Sequence, residues 1–145
     1  MYDFIKVAVV DEHPAYCKTL SAFLAETGFA TAFFPQAGSS FARTLEHSNL
    51  PDVVIISCST MYPESISLLR DIKRKFPSVM IMANTVFEGY LPAAGIAGAW
   101  ADACMIKSQT EPYVVTLLIL GLYITKIITA YSPRHPIIIP PPGLF

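Results

Sequence analysis

The sequence predicts a doubly wound α/β domain, in which helices cover both faces of a parallel sheet. Short β-branched apolar runs alternate with longer segments that carry apolar residues at helical spacing. The middle runs are apolar almost throughout, which is typical of parallel strands that are buried on both faces. A chain of 145 residues is long enough for one such domain. We therefore expect five pairs of strands and helices, joined by right-handed crossovers.

The first strand and helix have the clearest boundaries. Residues 5–10 form a β-branched apolar run that stops at Asp11 and Glu12. Pro14 suits the first turn of a helix, and Gly28 suits its end. Apolar residues recur at helical spacing between these two positions, which predicts the first helix.

The same alternation continues along the chain. The predicted strands and helices that follow are strands at 29–34, 52–57, 79–83 and 103–106, and helices at 36–47, 64–76 and 88–97. Carboxyl ends of parallel strands meet at one edge of a sheet, and ligand sites in such folds lie there. This rule brings together Asp11, Glu12, Ser57, Ala83 and Lys107.

The last predicted helix, at 113–131, is apolar on every side and carries one charged residue, Lys126. We expect it to be buried all round. A membrane-spanning helix needs about 20 apolar residues, and Lys126 would be costly at membrane depth, so membrane attachment is the less favoured alternative. Residues 1–131 are predicted to form the domain, and residues 132–145 a proline-rich, extended tail.

Composition narrows the classes of function. The formal net charge is −1, with 10 basic and 11 acidic residues, so no excess positive field favours direct binding of nucleic acid. The three cysteines, Cys17, Cys58 and Cys104, are odd in number and lie in apolar segments, which indicates a reduced compartment. The beginning of the chain has an acid where a secretory signal has bases. We expect a cytoplasmic protein.

Three segments resemble motifs of response-regulator receiver domains, in particular the subclass that usually precedes a LuxR-type helix-turn-helix. They are Lys-Val-Ala-Val-Val-Asp-Glu-His-Pro at 6–14, Pro-Asp-Val-Val-Ile-Ile-Ser at 51–57 and Ala-Asp-Ala-Cys-Met-Ile-Lys at 101–107. The resemblance covers about residues 5–132, and it is fairly specific because the three motifs occur in the family's order and spacing. It implies a flavodoxin-like fold with a five-stranded sheet in the order 2-1-3-4-5.

The resemblance also implies a phosphorylation switch, but only part of its machinery is present. Family members hold magnesium with an acidic pair and use an aspartate nucleophile, a hydroxyl residue, an aromatic residue and a lysine. Asp11 and Glu12 match the acidic pair, and Lys107 matches the lysine. The three substituted positions are Ser57 at the nucleophile, Ala83 at the hydroxyl and Cys104 at the aromatic residue. The sequence therefore resembles a pseudo-receiver.

The substitution at Ser57 has a direct chemical consequence. A carboxylate is already ionised at neutral pH, whereas a serine hydroxyl needs a general base to attack a phosphoryl group. The missing carboxylate also removes a magnesium ligand, so metal binding by Asp11 and Glu12 should be weak or lost. We expect Lys107 to approach Asp11, and Ser57 to hydrogen-bond Lys107 or a backbone group; phosphorylation of Ser57 is the alternative. His13 is interpreted as structural or solvent-facing.

The first functional hypothesis is a signalling module that acts in transcription regulation through protein contact, without phosphorylation and without enzymatic activity or a resident cofactor. We predict that the last helix forms a homodimer or contacts a partner protein, because its apolar area exceeds what one sheet face can cover. The predicted interface residues are Leu117, Leu118, Leu120, Leu122 and Tyr123. The alternatives are a phosphorylatable, magnesium-binding receiver in a conventional phosphorelay and a membrane-attached protein.

Overall fold

The structure is a computed structural model of the chain. It describes residues 3–34, 41, 45, 49–57, 63–85, 100–107, 110–128 and 137–138. The predicted helix at 88–97 and most of the predicted helix at 36–47 lie outside these residues.

The sheet is parallel throughout, and its first five strands have the predicted order. The strands are β1 (Lys6–Val10), β2 (Ala30–Phe34), β3 (Val53–Ser57), β4 (Met80–Thr85), β5 (Ala103–Ile106) and β6 (Ile137–Ile138). Their spatial order is β2-β1-β3-β4-β5-β6. All five residues of β3, a central strand, are buried, as its unbroken apolar run predicts.

Three helices are described: α1 (Pro14–Thr27), α2 (Pro63–Lys75) and α3 (Pro112–Ile128). Helix α1 begins at Pro14, whose missing N–H costs nothing in the first turn. It ends at Gly28, which adopts the left-handed conformation with a φ of 112°. The Gly28 N–H bonds to the carbonyl oxygens of Leu24 and Ala25, so it satisfies the end of the helix.

Hydrophobic cores lie on both faces of the sheet, because successive strand residues point to opposite sides. On one face, Cys17 and Leu24 of α1 and Ile119 of α3 pack against the sheet. On the other face, Leu69 and Ile72 of α2 do so. This double coverage confirms the predicted doubly wound architecture.

Strand β6 was not predicted, because it lies in the segment that the sequence assigns to the proline-rich tail. Ile137 pairs with Ala103 and Ile138 with Cys104, both in parallel register. Isoleucine favours strands, and prolines close to a short edge strand limit its length. The tail segment thus adds a sixth strand beside β5.

Helix α3 is buried on one side only, so the expectation of burial all round is wrong. Val115, Ile119 and Leu122 are buried at the spacing of one helix face. The exposed large apolar residues of α3, which we call its outer face, are Tyr113, Leu117, Ile124, Ile127 and Ile128. Within the described chain, α3 is covered on the sides that meet the sheet and α1.

This burial pattern corrects the predicted interface. Leu117 is 64% exposed, but Leu122 is only 2% exposed and belongs to the core. Leu118, Leu120 and Tyr123 are partly buried and pack against the same core. The error arose because a helix that is apolar on every side gives no periodic signal of which side meets the sheet.

Lys126 ties α3 to the amino-terminal end of the sheet. Its Nζ donates to Asp52 Oδ1 at 3.1 Å, and Asp52 Oδ2 accepts the Lys6 backbone N–H at 2.9 Å. The one charged residue of the helix therefore has an ionic partner. Among the described residues, no helix has both the length and the apolar character needed to cross a bilayer.

Candidate functional site

The predicted site lies at the carboxyl ends of β1 and β5. Asp11 follows β1, and its N–H donates to the Phe34 carbonyl oxygen at 3.1 Å. Lys107 follows β5, and its N–H donates to the Thr85 carbonyl oxygen at 2.8 Å. Both residues therefore extend the backbone pairing of the sheet, which fixes where their side chains begin.

Asp11 and Lys107 form a buried ion pair, as the sequence analysis expected. Lys107 Nζ donates to Asp11 Oδ1 at 2.9 Å and lies 2.8 Å from Oδ2. The second contact lacks hydrogen-bond alignment, so it is ionic only. The side chains are 1% exposed for Asp11 and 12% for Lys107. A buried carboxylate of this kind depends strongly on its cationic partner.

His13 also contacts this ion pair. Its backbone N–H donates to Asp11 Oδ1 at 2.8 Å, and its Nδ1 lies 2.8 Å from Lys107 Nζ. The same Nδ1 lies 3.2 Å from Asp11 Oδ1, so it accepts from Lys107 in one tautomer and donates to Asp11 in the other. The ring is 60% exposed, so the solvent-facing interpretation holds in part, but the contact with Lys107 was missed.

Tyr16 and Asn84 form the inner wall of the site, and neither was predicted. Lys107 Nζ lies 4.5 Å from the centre of the Tyr16 ring, a cation–π contact. Asn84 Nδ2 donates to the Tyr16 hydroxyl at 2.7 Å. Burial raises the pKa of Tyr16 to about 12; the hydrogen bond from Asn84 opposes this rise, and the charge of Asp11 adds to it. Tyr16 is therefore neutral at physiological pH.

Ser57, at the position of the nucleophile, is the last residue of β3. It is 9% exposed and pairs in register with Asn84 of β4. Within the described residues its hydroxyl makes no hydrogen bond, so the expected bond to Lys107 or to a backbone group is not formed there. Lys107 instead donates to Asp11 and lies beside His13 Nδ1.

The other two substituted positions are ordinary core positions. Ala83 and Cys104 are both fully buried and belong to the core on the α2 face. Burial raises the pKa of Cys104 to about 11, so its thiol stays protonated at neutral pH. Neither side chain offers a hydroxyl or an aromatic ring to the site.

The residues present fit a magnesium ion poorly. Lys107 already contacts both oxygens of Asp11, and Ser57 brings no charge. Glu12 is half-buried, and its side chain makes no ion pair within the described residues. In that part of the chain, no three metal-ligating side chains of His, Cys, Asp or Glu come together. A cation at Asp11 would have to displace the Lys107 ammonium, which opposes binding.

The missed residues gave weak signals in the sequence. Asn84 directly follows Ala83 in β4, and a polar residue near the carboxyl end of a buried strand is a candidate for the site. Tyr16 lies in the first turn of α1, but its apolar spacing made it a core candidate. The contact of His13 depends on the turn between β1 and α1, which residue spacing does not determine.

Comparison of the sequence with protein-family models and with curated proteins gives no match. The fold of this chain, in contrast, is similar to that of several solved structures. A response regulator receiver domain protein from Clostridium thermocellum has a TM-score of 0.74 and 18% identity, with 86% of this chain and 98% of that chain covered.

Two further structures are similar. The response regulator protein TrrA from Thermotoga maritima, in complex with magnesium and BeF, has a TM-score of 0.68 and 19% identity, covering 81% of this chain and 98% of that one. A LuxR-family two-component response regulator from Aurantimonas sp. SI85-9A1 has a TM-score of 0.67 and 22% identity, covering 82% and 84%. At these identities the similarity concerns the fold. The chain thus has the fold of response-regulator receiver domains.

Proposed function

We propose that this chain is a pseudo-receiver, a signalling module that works through protein contact without being phosphorylated. The observation that carries the proposal is the buried ion pair between Asp11 and Lys107. In it, the Asp11 carboxylate that would ligate magnesium and the Lys107 ammonium that would meet a phosphoryl group neutralise each other. The site is thus held in one state without an incoming charge.

The substituted positions support the same conclusion. Ser57 needs a general base to act as a nucleophile, and no hydrogen bond links it to His13 within the described residues. Ala83 has no hydroxyl and Cys104 no ring with which to respond to a phosphoryl group. We therefore assign the chain no enzymatic activity and no resident cofactor.

The proposed contact surface is the outer face of α3, and the proposed partner is a second copy of the chain. All five of its residues are apolar, from Tyr113 in the first turn to Ile128 in the last. Gly121 lies between Leu117 and Ile124 on the same side of α3. Within the described residues, leaving aside the helix's own backbone and the two adjacent residues, no atom lies within 4 Å of the place a Cβ would take, so another helix could approach the backbone closely. A face without charge does not repel its own copy across a two-fold axis, which suits an isologous dimer.

The biological setting is part of the proposal. The similarity to a LuxR-family response regulator supports a role in two-component signalling that leads to transcription regulation. The net charge of −1 argues against direct DNA binding by this chain. Two buried, unpaired cysteines, Cys17 and Cys104, fit a reducing cytoplasm.

Light scattering after size exclusion tests the dimer. We expect the mass of two chains at micromolar concentration, and a single chain after Leu117→Glu or Ile124→Glu, because each change places a charge in the apolar interface. Phe33→Glu is the matched control, since Phe33 is exposed on the edge strand β2 away from α3 and should leave the dimer intact. A strict monomer at high micromolar concentration would refute the proposed self-association.

A second experiment tests whether dimer formation is independent of phosphorylation. Acetyl phosphate and magnesium should leave the dimer fraction unchanged, because Ser57 cannot take up the phosphoryl group. A dimer that forms only after this treatment would favour the alternative, a conventional phosphorelay receiver that uses Asp11 and Glu12.

A further inference from the structure

A cavity of about 440 Å³ shares no side chain with the site described above, although the Phe34 that lines it accepts the Asp11 N–H at its carbonyl oxygen. It is formed on the α2 side of the sheet, between strands β1 and β2 and the side chains of Phe41 and Leu45. Its volume falls in the range of small-molecule sites, about 300 to 1,000 Å³. The cavity lies at the other edge of the sheet from β5, which carries Lys107 at its end.

The floor of the cavity is made of small side chains. Ala8 pairs with Ala32 across the two strands, and Lys6 pairs with Ala30, so these residues lie on one face of the sheet. Ala30 and Ala32 are exposed, although they lie on a face that forms a core elsewhere. A larger aliphatic side chain at these positions would fill the space, so the sequence itself leaves the cavity open.

The two ends of the cavity differ in character. At the carboxyl end of β2, the rings of Phe34 and Phe41 pack edge to face with centres 4.8 Å apart. Phe41 is 1% exposed, so this end is closed and apolar. At the amino end, Lys6 and Asn49 are exposed and polar. The cavity therefore has an apolar interior and a polar mouth.

Lys6 gives the mouth an available positive charge. Its Nζ donates one hydrogen bond, to Asn49 Oδ1 at 3.1 Å. In the described part of the chain no carboxylate lies within ion-pair distance of this ammonium. Asp52 directly precedes β3, the strand that pairs with β1. Its carboxylate binds the Lys6 backbone N–H and the Lys126 ammonium, not the Lys6 ammonium. Two protons of the Lys6 ammonium remain for a ligand.

We propose that this cavity binds a small amphiphilic carboxylate. Its apolar body packs on the alanine floor and against Phe34 and Phe41, and its carboxylate accepts hydrogen bonds from Lys6 at the mouth. A ligand with one charged group and an apolar body requires one opposite charge beside an apolar interior, which this cavity provides. The proposal does not depend on the proposed signalling function, because it uses none of the residues of the carboxyl-end site.

Titration calorimetry with a series of straight-chain carboxylates tests this site on the full chain. Hexanoate, heptanoate and octanoate should bind with one-to-one stoichiometry, and each added methylene should tighten binding about fourfold until the cavity is filled. Binding that is undetectable at millimolar concentration, or affinity that does not change with chain length, would overturn the proposal.

Two variants locate the ligand. Lys6→Gln should weaken octanoate about tenfold while leaving the neutral analogue 1-octanol unaffected, because only the charged hydrogen bond is lost. Ala32→Phe should weaken both ligands at least tenfold by filling the floor. Lys18→Gln, which makes the same charge change at an exposed position on α1, should affect neither. Equal octanoate affinity in all four proteins would place the carboxylate elsewhere and refute the assignment.

Discussion

Two ion pairs between aspartate and lysine hold opposite ends of the sheet, and they differ mainly in burial. Asp11 and Lys107, at the carboxyl ends of the strands, are 1% and 12% exposed. Asp52 and Lys126, at the amino ends, are 21% and 26% exposed. The shortest N–O distances are similar, 2.8 Å and 3.1 Å. Judged by distance alone, the two ion pairs would be expected to be equally strong.

Burial separates their roles. When one partner of a buried pair is removed, an uncompensated charge stays in a medium of low polarity, whereas a partly exposed charge is rehydrated. The stability of the site at the carboxyl ends, without a ligand, therefore depends on the pair between Asp11 and Lys107. The pair at the amino end orients α3 and adds little stability.

The largest effect is expected from Lys107→Met. This change leaves Asp11 buried without its ammonium partner and should lower the free energy of unfolding by about 3 to 5 kcal/mol. Urea denaturation at neutral pH measures the loss. The double variant Asp11→Asn with Lys107→Met should recover most of it, because no buried charge then remains. A loss below about 1 kcal/mol in Lys107→Met would mean that the pair behaves like a surface salt bridge.

The next effect concerns Tyr16, which packs against Lys107. Its pKa is raised from 10.0 to about 12, so the unfolded chain loses this proton first as the pH rises. The resulting stabilisation is complete below pH 10 and is lost between pH 10 and 12, at about 1.4 kcal/mol per pH unit. Tyr16→Phe should therefore show a shallower loss of stability over this range. Identical slopes in urea denaturation for both proteins would show that Tyr16 titrates normally.

The smallest effect is expected from Lys126→Met, at the amino end. The pair with Asp52 is partly exposed, so its loss should cost about 1 kcal/mol or less, and added salt should weaken it in the unmodified protein. The same urea experiment measures it. If Lys126→Met destabilised the fold as much as Lys107→Met does, the contrast between the two ends would be wrong.

The strands and the central ion pair could be predicted from sequence for a physical reason. Apolar β-branched runs specify buried strands, and parallel strands bring Asp11 and Lys107 to one edge whatever the loops do. The contacts of His13, Tyr16 and Asn84 could not be predicted in this way. They depend on the turn into α1 and on the rotation of that helix, which spacing leaves undetermined.

Helix α3 shows where the sequence was least informative. Leu117 and Leu122 have the same side chain and lie five positions apart in an apolar segment, yet Leu117 is exposed and Leu122 is in the core. With apolar residues on every side, the helical period does not indicate the packed face. Strand β6 was missed for a related reason, because nearby prolines made Ile137 and Ile138 resemble a tail.

The central claim is that the crevice takes up no phosphoryl group, because Lys107 neutralises Asp11 and Ser57 is an uncharged alcohol. Intact mass spectrometry after incubation with acetyl phosphate and magnesium tests it most directly, on the natural chain. We expect the mass to stay that of the unmodified protein throughout the reaction. A stable increase by one phosphoryl group that disappears in the Ser57→Ala variant would contradict the claim.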